Sequence, residues 1–297
     1  MATRAVGTAP HSGVLGVVSD YVRLTKPRVI SLLLVTTAGA MFVAAAGVPR
    51  ASTLVWTLIG GYLAAGGANA INQFVDRDID GLMSRTTARP VVTGTVTPTR
   101  ALIFGIVLGA LSALALGLFV NWLAAGLAMV GLATYVGVYT LWLKRSTPHN
   151  IVIGGAAGAV PPLVGWAAVT GELTLTAWLL FAIIFFWTPP HFWALALILR
   201  RDYASAGVPM LPVVRGDADT RRLILLWTLV MIGVSILPVV SGAMGLGYLV
   251  AALALGAPFL ALAWLLDRDG GQRWARPVFS YSLLYLALLF VALALAA

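Results

Sequence analysis

Cysteine is absent from the 297 residues, and charged side chains are scarce. Without cysteine the chain can have no disulfide, no thiolate nucleophile and no Cys-ligated zinc or iron–sulfur site. The histidines His11, His149 and His191 are too few and too scattered for a multi-histidine metal site. Only 10% of the residues are charged and 60% are hydrophobic, whereas about a quarter of a soluble domain is charged. The composition therefore predicts an integral membrane protein.

Apolar stretches recur along the chain, and each is long enough to span a membrane as a helix. The connections between them are short, and no linker separates two domains. We expect an all-α integral membrane protein in which about nine helices surround a central cavity. Residues 26–297 are predicted to form this single transmembrane domain, preceded by a flexible cytoplasmic tail over residues 1–25. The predicted spans lie near 29–47, 53–75, 101–120, 122–143, 150–169, 175–199, 223–240, 245–266 and 277–296.

Basic residues are distributed unevenly among the loops that join these spans. The N-terminal region and the even-numbered loops hold 18 of the 19 Lys and Arg residues, and the odd-numbered loops hold only Arg50. The positive-inside rule then predicts a cytoplasmic N-terminus and an outside C-terminus. We therefore interpret the net charge of +9 as a topology signal and expect no nucleic-acid partner. The expected location is the inner (plasma) membrane of a bacterium, with the charged loops facing the cytoplasm.

Asn72, Asp76 and Asp80 recur at intervals of four residues where the second apolar stretch runs into a charged loop. On a helix this spacing stacks the side chains along one face. Carboxylates one turn apart repel each other, and a bound Mg²⁺, which prefers oxygen ligands, would relieve the repulsion. Arg85 and Arg89 follow, and the guanidinium group matches phosphate geometry. The stretch indicates a site for a metal-bound diphosphate; the alternative is a solvated cap at a helix end.

Two proline pairs fall inside predicted spans, Pro161–Pro162 in the fifth and Pro189–Pro190 in the sixth. Proline removes a backbone donor and interrupts the helical hydrogen-bond ladder. Non-helical backbone within a membrane is tolerated only against protein or a water-filled cavity. We therefore expect a break in both helices and a polar-lined central cavity near them.

The sequence resembles the UbiA superfamily of intramembrane prenyltransferases. The superfamily's Asn-x3-Asp-x3-Asp motif is matched by Asn72, Asp76 and Asp80, within NQFVDRDIDGLMSRTTARP. The stretches TPHNIVIGGAAGAVPPLVGW (147–166) and WTPPHFWALALILRRDYASAGVPMLPVV (187–214) resemble its haem-directed branch. The resemblance implies a helical bundle whose central cavity opens to the membrane. It also implies that farnesyl diphosphate alkylates the vinyl group of haem b, giving haem O.

The resemblance further implies roles for individual residues. Asp76 and Asp80 would hold Mg²⁺, with Asn72 as the third member of the catalytic motif, and haem b would be a substrate and not a cofactor. One departure concerns the superfamily's second Asp-x3-Asp motif, because Asp202 here has no carboxylate four residues away. Asp202 is a candidate ligand for a second Mg²⁺, and Asp217 and Asp219 are alternatives for the missing carboxylate. The expected substrate-binding residues are Arg85, Arg89, Lys144, Arg145, His191 and Arg201.

For His191 two roles are open. A freed backbone carbonyl could hold the imidazole in a purely structural role. Alternatively the ring could face the cavity and either ligate the haem iron, for which histidine is the common axial ligand, or bond a propionate.

Other functions also fit parts of the sequence. Within the superfamily the alternative is a prenyltransferase acting on an aromatic quinone precursor. Outside it, the alternative is a polytopic transporter with an Asp-lined cation site, which would favour ionisable residues near the bilayer midplane. Besides farnesyl diphosphate, haem b and the lipid bilayer, a downstream haem A synthase is a candidate partner.

Overall fold

The computed structural model describes residues 13–297, and over this range the secondary structure is entirely helical. The helices, in chain order, are α1 (Val14–Thr25), α2 (Pro27–Ala44), α3 (Ala51–Val75), α4 (Arg77–Asp80), α5 (Pro90–Thr93), α6 (Pro98–Phe119), α7 (Trp122–Ala133), a π-helical stretch (Thr134–Leu143), α8 (Lys144–Ser146), α9 (Asn150–Thr170), α10 (Leu175–Ile198), α11 (Arg200–Ser205), α12 (Leu211–Val214), α13 (Gly216–Val240), α14 (Leu246–Asp269) and α15 (Ala275–Ala296).

Nine helical segments within residues 13–297 are long and apolar enough to cross a membrane. They are α2, α3, α6, the continuous segment Trp122–Ser146, α9, α10, α13, α14 and α15. The all-helical prediction and the number of spans are therefore confirmed. The largest difference is at the seventh span, which begins at Gly216 and not near residue 223. The added first turn contains Asp217 and Asp219, and acidic residues stabilise a helix N-terminus through the helix dipole.

The prediction of a flexible tail over residues 1–25 is wrong for its second half, and residues 1–12 lie outside the described residues. Residues 14–25 form α1, whose Leu24 is buried in a small apolar cluster with Ala70 of α3 and Val91 of α5. Two buried amides of α3 hold the end of α1. The Nδ2 of Asn69 donates to the Thr25 carbonyl at 2.9 Å, and the Nε2 of Gln73 donates to the Leu24 carbonyl at 3.1 Å.

The spanning helices form a closed bundle in which each packs against its neighbours. Going around it, α3 packs against α6, then follow α7, α9, α10, α13, α14, α15 and α2, which returns to α3. Across the bundle, α9 also packs against α2, and α10 against α15. As a result α9 and α10 are the most buried of the spanning helices.

The expected breaks at the proline pairs are not found. α9 is helical throughout Asn150–Thr170, and α10 throughout Leu175–Ile198. Pro162, Pro189 and Pro190 are buried. Neighbouring helices therefore cover the backbone carbonyls that receive no hydrogen bond because proline lacks an N–H. A spanning helix tolerates proline when such packing and small local adjustments compensate the lost bond. The cavities described below lie instead at the end of the bundle that carries the charged loops.

The fourth span changes its helical geometry before it reaches the charged end. After Ala133 the chain follows a π-helix over Thr134–Leu143, and Lys144 comes directly after it. The hydroxyl of Thr140 donates to the carbonyl of Tyr135, five residues earlier, at 2.8 Å. π-Helical turns are rare and frequent at functional sites, because each one shifts the faces of the following residues.

α3 and α6 approach each other through a pair of glycines. A Cβ atom at Gly67 would lie 2.6 Å from the carbonyl oxygen of Gly105, and one at Gly105 would lie 2.8 Å from the carbonyl oxygen of Gly67. The obstructing atoms belong to the backbone, so they cannot move aside as a flexible side chain could. Small residues of this kind allow close packing of membrane helices. The contact lies about one turn from Asn72 on α3 and so helps to fix the position of that residue.

We predict that Gly67→Ala lowers the free energy of unfolding by about 1–3 kcal/mol, because the added methyl overpacks the α3–α6 contact. Gly126→Ala in α7 is the matched control, since a Cβ there meets nothing within 4 Å. Thermal unfolding of both variants in one detergent checks the prediction. The close contact would be disproved if the two variants unfolded at the same temperature.

Candidate active site

The predicted Asn72, Asp76 and Asp80 face lies at the junction of α3 and α4. The backbone N–H of Asp76 donates to the carbonyl of Asn72, and that of Asp80 to the carbonyl of Asp76, both at 2.9 Å. These i to i+4 bonds continue the helical path across the boundary, so the side chains share one face as their spacing predicts. Asp76 and Asp80 are both 0% exposed.

Each buried carboxylate is paired with a basic residue from a distant part of the chain. The ammonium group of Lys144 donates to Oδ2 of Asp76, and the guanidinium group of Arg89 donates to Oδ2 of Asp80. Burial raises the pKa of Asp80, and the charge of Arg89 opposes that shift. The repulsion expected from the sequence is thus relieved by side chains that lie outside the motif. A solvated helix cap, the alternative interpretation, does not describe carboxylates that are excluded from water.

The other oxygen of each carboxylate is available. Oδ1 of Asp76 and Oδ1 of Asp80 are buried and lack a hydrogen-bond partner among residues 13–297. Oδ1 of Asp76 forms only a longer ion pair, with Nη2 of Arg145 at 3.6 Å. Buried acceptors of this kind suit a hard cation such as Mg²⁺, which binds one or two carboxylates and keeps further positions for water and phosphate. Asp76 and Asp80 therefore fit the predicted role of metal ligands.

Asn72 is held on three sides. Its Oδ1 accepts from the Lys26 ammonium at 3.0 Å, and its Nδ2 donates to Oδ2 of Asp76 at 2.6 Å and to Oγ1 of Thr140 at 3.3 Å. The Thr140 hydroxyl donates its hydrogen bond to the backbone carbonyl of Tyr135, so its oxygen can accept one from Asn72. These contacts fix the orientation of the amide and make Asn72 a bridge between Lys26 and Asp76.

Lys26 and Thr140 are site residues that the sequence analysis missed. Lys26 joins α1 to α2 with a left-handed backbone (φ 55°), which turns its side chain toward α3. Burial lowers the pKa of Lys26 well below its usual value, and the neighbouring charge of Arg89 lowers it further. A lysine directly before the first proline of a span was a usable signal. The sequence carried no such signal for Thr140, because the π-helix determines where the Thr140 side chain lies.

A cavity with a volume of about 220 Å³ adjoins the motif, since Arg89, the partner of Asp80, and Lys26, the partner of Asn72, both line it. Arg85 and Arg89, which the sequence predicts to bind substrate, line it together with Lys26 and Arg23. Its lining contains no acidic residue, so it suits an anion such as diphosphate. The full lining is Arg23, Lys26, Gln73, Arg85, Thr86, Ala88, Arg89 and Pro90.

Arg145 reaches the site together with Lys144, but its guanidinium is already engaged. Its Nη1 and Nη2 each donate to one oxygen of Asp78 at 2.7 Å, and its Nη2 also donates to the carbonyl of Val75 at 3.2 Å. The hydrogen bonds from Arg145 lower the pKa of Asp78 to about 2. Asp78, which falls outside the face of the motif, thus acts as the partner that orients Arg145.

Asp202 lies beside a second cavity, of about 700 Å³. Its Oδ2 accepts from the Ser84 hydroxyl at 2.6 Å, and Arg201 lines the same cavity. Over residues 13–297 no three Asp, Glu or His side chains are placed to share one metal ion. The structure therefore does not bring Asp202 into one cluster with Asp76 and Asp80. The cavity is lined by Ser84, Leu197, Ile198, Leu199, Arg200, Arg201, Asp202, Ala204 and Gln272.

The alternative carboxylates, Asp217 and Asp219, lie in the first turn of α13, and both partners of Asp217 line the cavity beside Asp202. Asp217 forms an ion pair with Arg200 at 3.1 Å and accepts from the Nε2 of Gln272 at 2.8 Å. Asp219 is exposed on the first turn of α13. Within the part of the chain that the structure describes, neither belongs to a group of three Asp, Glu or His side chains that could share a metal ion, so both stay predictions.

His191 is buried in α10, 7% exposed, and its partner is a hydroxyl and not the expected backbone carbonyl. Its Nδ1 lies 2.6 Å from Oγ of Ser282, and that hydroxyl donates to the carbonyl of Phe279. Nδ1–H is therefore the donor to Ser282, and Nε2 carries the lone pair. The ring stacks between Trp187 and Phe279, with centroid distances of 4.2 and 4.8 Å.

Several solved structures share this fold. A digeranylgeranylglyceryl phosphate synthase matches with a TM-score of 0.77 at 17% identity, covering 94% of this chain and 98% of its own. A UbiA homologue from Archaeoglobus fulgidus, bound to DMAPP and Mg²⁺, matches with a TM-score of 0.66 at 17% identity, covering 92% and 99%. At this identity the likeness shows the fold alone.

Sequence relatives are much closer. The protoheme IX farnesyltransferase of Chloroflexus aurantiacus is 54% identical over 98% of this chain and 50% of its own length. That of Gloeobacter violaceus is 54% identical over 93% of this chain and 90% of its own length. The chain thus spans about half the length of some curated relatives that it matches, and nearly all of others. The model of the UbiA prenyltransferase family matches residues 32–289, and the chain belongs to that family.

Proposed function

We propose that this protein transfers the farnesyl group of farnesyl diphosphate to a vinyl group of haem b and so produces haem O. The observation that carries the transferase chemistry is the pair of buried carboxylates, each with an unpaired oxygen, beside a cavity lined by basic residues. The names of relatives at about 54% identity support haem as the acceptor. Membership of a prenyltransferase family favours this function over the transporter alternative.

Asp76 and Asp80 would hold the metal through their Oδ1 atoms, which accept no hydrogen bond from residues 13–297. A bound Mg²⁺ would neutralise the diphosphate and so improve it as a leaving group. Asn72 keeps Asp76 in place and separates it from Lys26. Asp202 stays a prediction as a second ligand, and its Oδ2 would have to leave Ser84 or bind beside it.

The basic residues would bind the diphosphate and stabilise the negative charge that develops on it. Arg85, Arg89 and Lys26 line the cavity, and Lys144 lies on the adjacent carboxylate. When the C1–O bond of the donor breaks, its electron pair leaves with the diphosphate. The terminal carbon of the vinyl group then attacks the allylic cation and forms the new C–C bond. Water adds to the cation at the inner vinyl carbon and loses a proton, giving the hydroxyethylfarnesyl side chain.

We assign His191 and Arg201 to the acceptor. Because Nδ1 of His191 is bonded to Ser282, a haem iron or propionate would have to use Nε2. Arg201 is exposed at the rim of the second cavity, where its guanidinium could reach a carboxylate. Ser84 lines this cavity and Arg85 the first, so the loop between α4 and α5 would separate acceptor from donor.

The proposed location is the cytoplasmic membrane of a bacterium, with the active site facing the cytoplasm. The bilayer suits the donor, since moving each CH₂ group of the farnesyl chain from water into lipid is favourable by ~0.8 kcal/mol. Residues 26–297 would act as one transmembrane domain. Neither the structure nor the relatives support association with a haem A synthase, so the proposed function does not include it.

The proposed function is tested by incubating membranes that contain the protein with haem b, farnesyl diphosphate and Mg²⁺. Chromatography should show a pigment with the retention of haem O. We predict that Asp80→Asn lowers the rate by about a hundredfold or more, because a buried charge that stabilises the leaving group is lost. Asp219→Asn is the matched control, since Asp219 is exposed. Near-normal turnover by a folded Asp80→Asn protein would contradict the metal role.

The orientation predicts the behaviour of fusion proteins. A reporter that is active only outside the cytoplasm should work when fused after Ala297 and fail when fused after residue 85 or 215. The physical reason is that nine spans put the two ends on opposite sides. Enzyme assays of intact cells carrying each fusion check it. An inactive fusion after Ala297 would place the C-terminus in the cytoplasm and refute the proposed topology.

His191→Ala separates the two roles of this histidine. If Nε2 serves the acceptor, the variant should bind haem more weakly and change the absorption of the haem-loaded protein, while Mg²⁺-dependent binding of farnesyl diphosphate persists. Ser282→Ala is the matched control, because it removes only the partner of Nδ1. A purely structural histidine predicts that both variants unfold at lower temperature and bind both substrates poorly. An unchanged haem spectrum and affinity would refute the acceptor role.

A further inference from the structure

Asn150, the first residue of α9, has a buried amide without partners. It is 0% exposed, and within residues 13–297 neither its Nδ2 nor its Oδ1 has a hydrogen-bond partner. Every other buried amide or carboxylate side chain in this range keeps at least one partner. An amide removed from water without compensation costs free energy, and native proteins contain few of them. Such a group calls for a partner that the described residues do not supply.

The position of Asn150 links it to the carboxylate site. Its backbone N–H donates to the carbonyl of Thr147 at 3.2 Å, in the turn that follows Lys144 and Arg145. Lys144 contacts Asp76, so this turn starts at the site. One helical turn further along α9, a Cβ at Gly154 would lie 2.4 Å from the ring of Tyr139, which belongs to the π-helical stretch.

The start of α9 favours an anion. A side chain at the first position of a helix tilts back toward the N-terminus, where the helix dipole is positive and the first N–H groups point outward. No side chain caps α9, and only the N–H groups of Asn150 and Ile153 in its first turn have backbone acceptors among residues 13–297, so those of Ile151 and Val152 remain available. The Nδ2 of Asn150 adds a donor at this end, and Oδ1 can accept from a water or hydroxyl bound beside the anion.

We propose that Asn150 is a substrate-binding residue whose Nδ2 donates a hydrogen bond to an anionic oxygen of a substrate. The group is either a carboxylate of the acceptor or an oxygen of the donor's diphosphate. This inference rests on the proposed function, because the two substrates supply these groups. It adds a residue that carries no charge and lies outside the Asn72, Asp76 and Asp80 motif.

Asn69 shows what a structural amide looks like in the same protein. It is also buried, but its Nδ2 donates to the carbonyl of Thr25 and so ties α3 to α1. Leucine has nearly the shape of asparagine and forms no hydrogen bond, so one substitution at both positions separates the two cases. Removing a bonded amide should destabilise the protein, whereas removing an unpaired one should not.

The experiment compares Asn150→Leu with Asn69→Leu in the purified, substrate-free protein. Asn150→Leu should leave the unfolding temperature unchanged or raise it, while kcat/KM falls by about tenfold or more. Asn69→Leu should instead lower the unfolding temperature by about 2–4 °C or more. A fall in stability in Asn150→Leu that matches Asn69→Leu would show a structural amide and overturn the proposal.

Binding measurements identify which anion Asn150 contacts. Haem b alone and farnesyl diphosphate with Mg²⁺ are titrated separately into the wild type and Asn150→Leu. A loss for haem b points to the acceptor carboxylate, and haem dimethyl ester, which lacks that charge, should then bind both proteins equally. A loss for farnesyl diphosphate points to the diphosphate.

Unchanged affinity for both substrates would overturn the proposal, and it is also the result expected if Asn150 holds only a buried water. Failure of the proposed function is distinguishable, because the wild type would then transfer no farnesyl group to haem b. The unfolding and farnesyl diphosphate measurements would still decide the role of Asn150.

Discussion

The burial of two carboxylates at one end of a membrane bundle determines how the rest of that end is arranged. Removing an isolated charge from water is so costly that it must be paired or bind a metal. Asp76 and Asp80 meet this requirement through Lys144 and Arg89, which come from different loops. Each pair uses only one oxygen of the carboxylate, and the other oxygen accepts no hydrogen bond from residues 13–297. The ion pairs therefore hold the site together without filling it.

Several unusual features of the backbone serve this arrangement. The π-helical stretch brings Thr140 to Asn72 and presents Lys144 to Asp76. The left-handed backbone at Lys26 turns its ammonium toward the same amide. α1, which is too short to span a membrane, is fixed to α3 by buried amides and so holds Lys26 in position. The N-terminal helix belongs to the site and is not an appendage.

The residues that line the two cavities differ in chemical character. The smaller one is lined by basic residues without an acid, whereas the larger one combines aliphatic side chains with arginines, Asp202 and Gln272. A diphosphate needs positive charge, and an amphiphilic acceptor needs apolar surface with a few polar anchors. The loop between α4 and α5 lies between them, with Ser84 on one side and Arg85 on the other. Under the proposed function, donor and acceptor would meet across this loop.

Local patterns in the sequence determined the helices and the central motif. Long apolar runs identify the spans without reference to their neighbours, and the four-residue spacing of Asn72, Asp76 and Asp80 defines a face once a helix forms. The same reasoning failed at the proline pairs. Proline removes a helical hydrogen bond, but packing against other helices keeps both segments helical. It also failed for residues 14–25, whose order depends on contacts with α3 and α5.

Only the tertiary structure decided which charges meet. Lys26 bonds Asn72 across 46 positions of the chain, and Lys144 bonds Asp76 across 68. The distance between such residues depends on how helices pack, down to the glycine contact between α3 and α6. The unpaired state of Asn150 is equally invisible in the sequence, since a missing partner is a property of the whole surrounding fold. The spacing of residues along a helix can be read from the sequence. Hydrogen bonds and ion pairs between distant residues form only when the folded bundle brings those residues together.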